Sequence, residues 1–294
     1  MHGSSFQRAG VLPLVVLLTA VWGTNWGLFP LAVREVSVWT FRAICLIGAG
    51  AIVLLAARMR GISLHVPTAE RRWIAAAGLT YLVVWNIAST YAAVYLPSGQ
   101  AAVLGFTMPV WSILLSWLVL RESPSRRLFI SVALASTGVG LLAYASRDAF
   151  VSAPMGFFLG LLAALGWAAG TLILKRARLS VAPIVSTGWQ LIVAAIPISI
   201  VALFTGTREP FMPSWMTILV IGYITVIPMA LGNLIWFSIV SMLPATVSGL
   251  SAVMVPIVAM ATGAAFFGEP IGLVELAAMT CCAAAMAVTL IRRG

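Results

Sequence analysis

Residues 95–110 read YLPSGQAAVLGFTMPV, and residues 241–256 read SMLPATVSGLSAVMVP. Pro97 and Pro244 stand 147 positions apart, as do Pro109 and Pro256. The same offset joins Asn86 to Asn233, Leu96 to Leu243 and Glu122 to Glu269, and it is half of the 294-residue chain. Proline makes up about 5% of an average protein, so two chosen prolines both match by accident in roughly one case in 400. Trp22 and Trp167, 145 apart, fit the same repeat after a small insertion. The chain reads as two copies of one unit, residues 1–150 and 151–294.

The residues around these stretches decide the solvent. Of the whole chain 62% is apolar and only 8% charged, where a soluble domain carries about 25% charged residues. A globule of this size cannot hide so much apolar surface from water, so lipid is the expected solvent. The apolar runs are 11–33, 37–57, 73–95, 97–120, 128–146, 154–174, 182–205, 213–241, 244–267 and 271–291. A crossing helix needs about 20 such residues, whereas barrel strands would alternate polar and apolar. The predicted fold is an all-α integral membrane protein with ten transmembrane helices. Five helices per copy is an odd number, so the second copy starts from the opposite face. The result is two inverted five-helix repeats, an arrangement typical of secondary transporters. The first run is too long for a signal peptide and lacks a small-x-small cleavage site before a polar domain.

Charge sorts along the chain. With a cytoplasmic N-terminus, the cytoplasmic side holds Arg8, Arg58, Arg60, Arg71, Arg72, Arg121, Arg126, Arg127, Lys175, Arg176, Arg178, Arg292 and Arg293. The other side holds Arg34, Arg147 and Arg208. Basic residues gather on the cytoplasmic face, so both termini are expected there, in the inner membrane. The net charge of +10 is spent on this orientation, and no nucleic-acid partner is expected. Cys45, Cys281 and Cys282 lie in apolar runs and form no disulfide or metal spacing. His2 and His65 are the only histidines, one in the N-terminal tail and one in a basic loop. An intramembrane hydrolase needs clustered His and acidic groups. No catalytic residue, metal or cofactor is expected, and an enzyme is disfavoured.

Segments 91–144 and 238–291 resemble the drug/metabolite transporter superfamily, in its ten-helix EamA branch. The resemblance rests on the two quoted stretches, on Glu122 and Glu269 closing the following helices, and on the small-residue helices LFISVALASTGVGLL and LVELAAMTCCAAAMAVTL after them. Trp22-Gly23 fits as well, and the likeness covers about residues 11–292. Arg121 departs from the pattern, in which a glycine often precedes the Glu; Gly268 keeps it. The Trp and Tyr density of the first half resembles the YddG-type exporters of aromatic amino acids. The branch implies fold and transport, and the cargo has to be argued from the site.

Candidate cargo contacts follow from what lies at mid-depth. Trp22 and Trp26 share a helix face at i, i+4, and so do Tyr81 and Trp85. With Trp111 and Trp167 they make an aromatic-walled cavity if those faces meet; each alone reads equally as helix packing or lipid contact. Trp39, Trp73 and Trp215, at segment ends, read as interfacial anchors. Asn25, Asn86 and Asn233 are buried amides with donors and acceptors, suited to a zwitterion or to interhelical hydrogen bonds. Gln100 and Gln190 are weaker candidates. Arg42, near the start of the second helix, reads either as a structural, snorkelling residue or as the contact for a substrate carboxylate. Pro109 and Pro256 interrupt helices, as symmetric hinges or as static kinks. No Asp, Glu or His falls at mid-depth, so proton coupling is not expected. The expected function is export of small hydrophobic metabolites, foremost amino acids with aromatic side chains, by alternating access through the aromatic-lined cavity of a monomer. The alternative cargo is a hydrophobic organic cation, for which a buried acid is usual. Phosphorylated sugars would call for several buried cations.

Overall fold

The computed structural model describes residues 3–96, 98–121, 125–145, 147–205, 212–243, 252, 254–267 and 272–290. Pro97, Glu122, Pro244, Ser248, Gly249 and Glu269 lie outside the described residues, as do Arg208, Arg292 and Arg293 and the side chains of Arg8, Glu275 and Cys282.

Eight helices among the described residues are long and apolar enough to cross a bilayer. They are α1 (Val11–Ala32), α2 (Val38–Met59), α3 (Thr68–Tyr95), α4 (Gln100–Val119), α5 (Arg126–Ala145), α6 (Pro154–Ala177), α7 (Pro183–Thr205) and α8 (Trp215–Met242). Two further helices, α9 (Val255–Phe267) and α10 (Leu273–Leu290), occupy the ninth and tenth apolar runs. Helix ends differ from the apolar runs where charged side chains reach past the hydrocarbon. α3 starts at Thr68, a turn before the run at 73, and α6 continues through Lys175 and Arg176.

Local chemistry sets the boundaries. The Ser37 hydroxyl caps α2 by accepting from the Thr40 amide at 3.1 Å, the usual role of an N-cap serine. Gly61 follows α2 at φ +73°, where a glycine is free of the Cβ clash. Pro154 opens α6 in the first turn, where its missing N–H is no loss. α1 loses regular geometry after Gly23 and passes through a 3₁₀ turn, Trp26–Leu28, into Phe29–Ala32. α4 breaks at Phe106 and Thr107, and Pro109 stands in the first turn of the segment that resumes at Met108. α3 and α8 each contain a π-helical stretch, Leu79–Val83 and Thr225–Gly232.

The helices pack in a defined pattern. α2 lies along α7, α5 along α10, α6 against α3 and α4, and α1 against α8 and α9. This list is unchanged when each helix is exchanged for its counterpart five places on. A Cβ on Gly50 would meet the Ile192 side chain at 2.7 Å, and one on Gly188 would meet Leu54 at 2.6 Å. Residue numbers rising along α2 therefore meet numbers falling along α7, and this counterpart pair is antiparallel. Along α6, Gly156 abuts Leu96, Gly166 abuts Val84 and Gly170 abuts Tyr81. Small residues bring backbones close enough for dispersion to hold helices together in lipid. The main core runs through α1 to α4 and α6 to α9. Leu55, Phe129, Phe158, Leu203 and Phe204 point outwards and stay exposed, as expected of lipid-facing positions.

Candidate substrate cavity

Five helices converge on one aromatic cluster. α1 supplies Trp22, Trp26 and Phe29, α3 Tyr81 and Trp85, α4 Phe106, α6 Trp167, and α8 Trp236 and Phe237. Trp167 lies at the centre. Its ring meets Tyr81 at 4.2 Å, Trp85 at 4.4 Å, Trp22 at 4.9 Å and Trp236 at 5.2 Å between centroids, all four near edge-on. Trp26 continues the wall to Trp85 and Phe106 at 6.0 and 5.9 Å. Edge-on pairs place a ring's positive rim on its neighbour's negative face and contribute about 0.5–1.5 kcal/mol beyond burial.

Polar groups are set into this wall. Asn86 donates from Nδ2 to the Leu82 carbonyl at 2.7 Å, and Asn233 donates from Nδ2 to the Met229 carbonyl, also at 2.7 Å. Each asparagine thus satisfies a carbonyl of the π-helical stretch before it. The Trp22 indole N–H donates to the Pro228 carbonyl at 3.1 Å, and the Tyr81 hydroxyl donates to Asn233 Oδ1 at 3.2 Å. Asn25 Oδ1, Asn86 Oδ1 and Trp167 Nε1 are buried without a partner among the described residues. Most buried polar atoms in proteins are hydrogen-bonded, so these three atoms around one cavity set it apart from the rest of the core.

Arg42 is 1% exposed and lines the same cavity. Its guanidinium carbon lies 4.3 Å from the centre of the Phe29 ring and 4.7 Å from that of Phe41, a cation–π sandwich. Nε donates to the Thr90 hydroxyl, which itself donates to the Asn86 carbonyl at 2.6 Å. Nη2 has no partner among the described residues. The side chain is held in place at three points, and the Nη2 group is left to point at the cavity.

The space enclosed by these residues is about 30 Å³, room for one or two waters. Ligand pockets run to about 300–1,000 Å³, so the space as it stands is too small for an amino acid. A second cavity of about 530 Å³ lies beside the end of α6, the start of α7 and the end of α8, among Lys175, Arg178, Ser186, Phe237 and Ser241. Phe237 borders it and packs edge-on against Tyr81 at 5.5 Å. That ring pair therefore stands between the two cavities.

Of the residues singled out from the sequence, Trp22, Asn25, Trp26, Arg42, Tyr81, Trp85, Asn86, Trp167 and Asn233 all line the central cavity. Trp111 does not. It is half-buried, with its indole N–H donating to the Thr107 hydroxyl at 3.3 Å. Gln190 is fully buried and donates to the Ser186 carbonyl and hydroxyl, outside the cavity. Phe29, Phe106 and Trp236 were not anticipated. Trp236 follows Asn233 by three residues, just under one helical turn, and the Asn86 offset was the signal that pointed to this face of α8.

The EamA-like transporter family matches the chain twice, over residues 10–144 and 154–291. The chain belongs to the EamA-like transporter family. Members of the EamA family are transporters and not enzymes, and this one is a multi-pass membrane protein with a small-molecule substrate. It is 26% identical over 266 residues to YvbV of Bacillus subtilis strain 168, described as an uncharacterized transporter, covering 90% of this chain and 87% of that one. It is 24% identical over 221 residues to YetK of the same organism, described in the same words, covering 73% and 66%. A crystal structure of another protein superposes with a TM-score of 0.75 at 17% identity, over 95% of this chain and 97% of that one. That likeness shows the shared fold.

Proposed function

We propose that this EamA-family protein exports small hydrophobic metabolites, foremost amino acids with aromatic side chains, from the cytoplasm across the inner membrane. It works as a monomer by alternating access between two inverted five-helix halves, residues 1–150 and 151–294, with both termini cytoplasmic. The observation that carries the cargo is the cavity itself: four rings packed edge-on around Trp167, with Asn25 Oδ1, Asn86 Oδ1 and Nη2 of Arg42 beside them, unpartnered among the described residues. A guest aromatic ring would replace ring–ring contacts within the cage at little cost. Its carboxylate would take the Arg42 donor, and its ammonium the amide oxygens. Antiparallel packing of α2 on α7 supports inversion of the halves. Opening of the Tyr81–Phe237 pair would connect the cage to the basic cavity at the ends of α6 and α8, the cytoplasmic side by the charge rule. The breaks before Pro109 and at the start of α9, where Pro256 stands, are the proposed hinges.

Among the described residues no acidic one lines the cavity, and on this reading export runs without proton coupling. The guanidinium of Arg42 repels an organic cation from the same space. The deciding experiment is flux into proteoliposomes. Labelled Trp or Phe is expected to accumulate faster than in protein-free vesicles, at a rate unchanged by an imposed pH gradient. If no aromatic amino acid moves above the protein-free rate, the cargo assignment fails. If a proton gradient drives hydrophobic cations instead, the alternative cargo takes its place.

A further inference from the structure

The cavity is electrically one-sided. Among the described residues, Arg42 is the one charged side chain lining it. The acids with described side chains lie elsewhere: Glu35 bonds to Ser214, Glu70 to Ser180, and Asp148 pairs with Arg147 at 3.7 Å. The neighbours of the guanidinium are neutral, namely the Thr90 hydroxyl and the faces of Phe29 and Phe41. Its Nη2 is buried and unpartnered among the described residues. A buried charge lacking a counter-charge is costly, and pairing removes most of that cost.

This has different consequences for different guests that carry the same ring. A monocarboxylate brings one negative charge to Arg42, and the loaded cavity becomes neutral. A zwitterion brings the same carboxylate together with an ammonium, which meets only the amide oxygens of Asn25 and Asn86. The loaded cavity then keeps a net positive charge, and the ammonium gives up its water for neutral acceptors. An aryl amine without a carboxylate brings a second positive charge beside Arg42 and leaves Nη2 unpaired.

Resting on the reading of this cavity as the transport site, we propose that it selects aromatic monocarboxylates through Arg42 and the ring cage, and that an α-amino group is not required. Deaminated aromatic acids are then cargo alongside aromatic amino acids, and decarboxylated aromatic amines are excluded. The carboxylate is the handle, the ring fills the cage, and the amide oxygens of Asn25 and Asn86 accept whatever N–H the guest offers, an indole N–H included.

The test uses the full chain in proteoliposomes at neutral pH, with three compounds that share an indole ring. Uptake of labelled Trp is challenged with unlabelled Trp, with indole-3-propionate, which lacks the amine, and with tryptamine, which lacks the carboxylate. Indole-3-propionate is expected to halve Trp uptake at a concentration no higher than unlabelled Trp needs, and tryptamine to need at least about tenfold more. Labelled indole-3-propionate is also expected to enter faster than in protein-free vesicles. If tryptamine competes as well as Trp, or indole-3-propionate needs about tenfold more, the inference is overturned while amino acid transport stands. If Trp does not move but indole-3-propionate does, the inference holds and the amino acid assignment falls. If neither moves above the protein-free rate, both fall.

Discussion

Trp167 reaches four other rings because the helix that carries it is bare on either side. Gly166 faces Val84 and the Thr80 carbonyl, and Gly170 lies directly against Tyr81. A Cβ on Gly170 would overlap Tyr81 Cβ and come within 3.0 Å of its Cα, which is backbone and cannot swing aside. Overpacking of this kind costs about 1–3 kcal/mol. Gly170→Ala should therefore lower the melting temperature in detergent and shift the tryptophan emission, since it pushes Tyr81 away from Trp167. Gly222→Ala is the matched control. Nothing lies within 4 Å of its added methyl, and alanine is the better helix former by about 1 kcal/mol, so no loss of stability is expected there. Equal destabilisation by both would mean that the close contact at Gly170 does not hold the cage. At this scale the sequence was only partly readable. Trp111 and Trp236 look alike as letters in apolar runs, yet one bonds to Thr107 on its own helix and the other is fully buried beside Trp167. In lipid both faces of a helix are apolar, so the hydrophobic pattern does not say which indole turns inward.

The ends of the helices are tied across the two halves by matching contacts. Between α1 and α2, Glu35 accepts from the Ser214 amide at 2.6 Å and from its hydroxyl at 2.8 Å, where Ser214 caps α8. In the first turn of α3, Glu70 accepts from the amide and hydroxyl of Ser180, which lies between α6 and α7. Exchange of the halves turns one contact into the other, with the carboxylate and the serine trading places. Neither tie was foreseen, because a lone glutamate in a short loop carries no pattern that names its partner. The Ser214 backbone N–H, then its hydroxyl, hold the Glu35 carboxyl below its ordinary value, and the positive end of α8 acts in the same sense. A carboxyl lowered in the folded state stabilises it above the unfolded value, and that contribution is lost as pH falls through the folded value. Thermal unfolding of the wild type and Glu35→Gln should therefore differ at neutral pH, with the variant less stable. The gap should close as pH drops below about 4.3. A gap that stays constant down to pH 3 would show that the carboxylate charge contributes nothing to the tie.

For the molecule as a whole, the long apolar runs and the 147-residue offset were legible because they follow from lipid solvation and from duplication, neither of which depends on contacts distant in sequence. The offset even located Asn86 and Asn233, whose identical bonds to the carbonyls four residues back close equivalent π-helical stretches. The π-helices themselves were not legible, since apolar sequence supports α and π turns alike. Orientation is the property on which alternating access turns, and two exposed arginines report it. Arg34 follows α1, and Arg176 sits at the end of α6, the counterpart of α1. Halves that point the same way would put both positions on one face of the membrane; inverted halves put them on opposite faces. Arg34→Cys and Arg176→Cys, each in a chain whose own cysteines are replaced by alanine, separate the two arrangements. A membrane-impermeant maleimide applied to intact cells should label the first and reach the second only after the membrane is opened. Labelling of both from outside would make the repeats parallel, and α2 and α7, which meet antiparallel at Gly50 and Gly188, would then lose their place as equivalent helices.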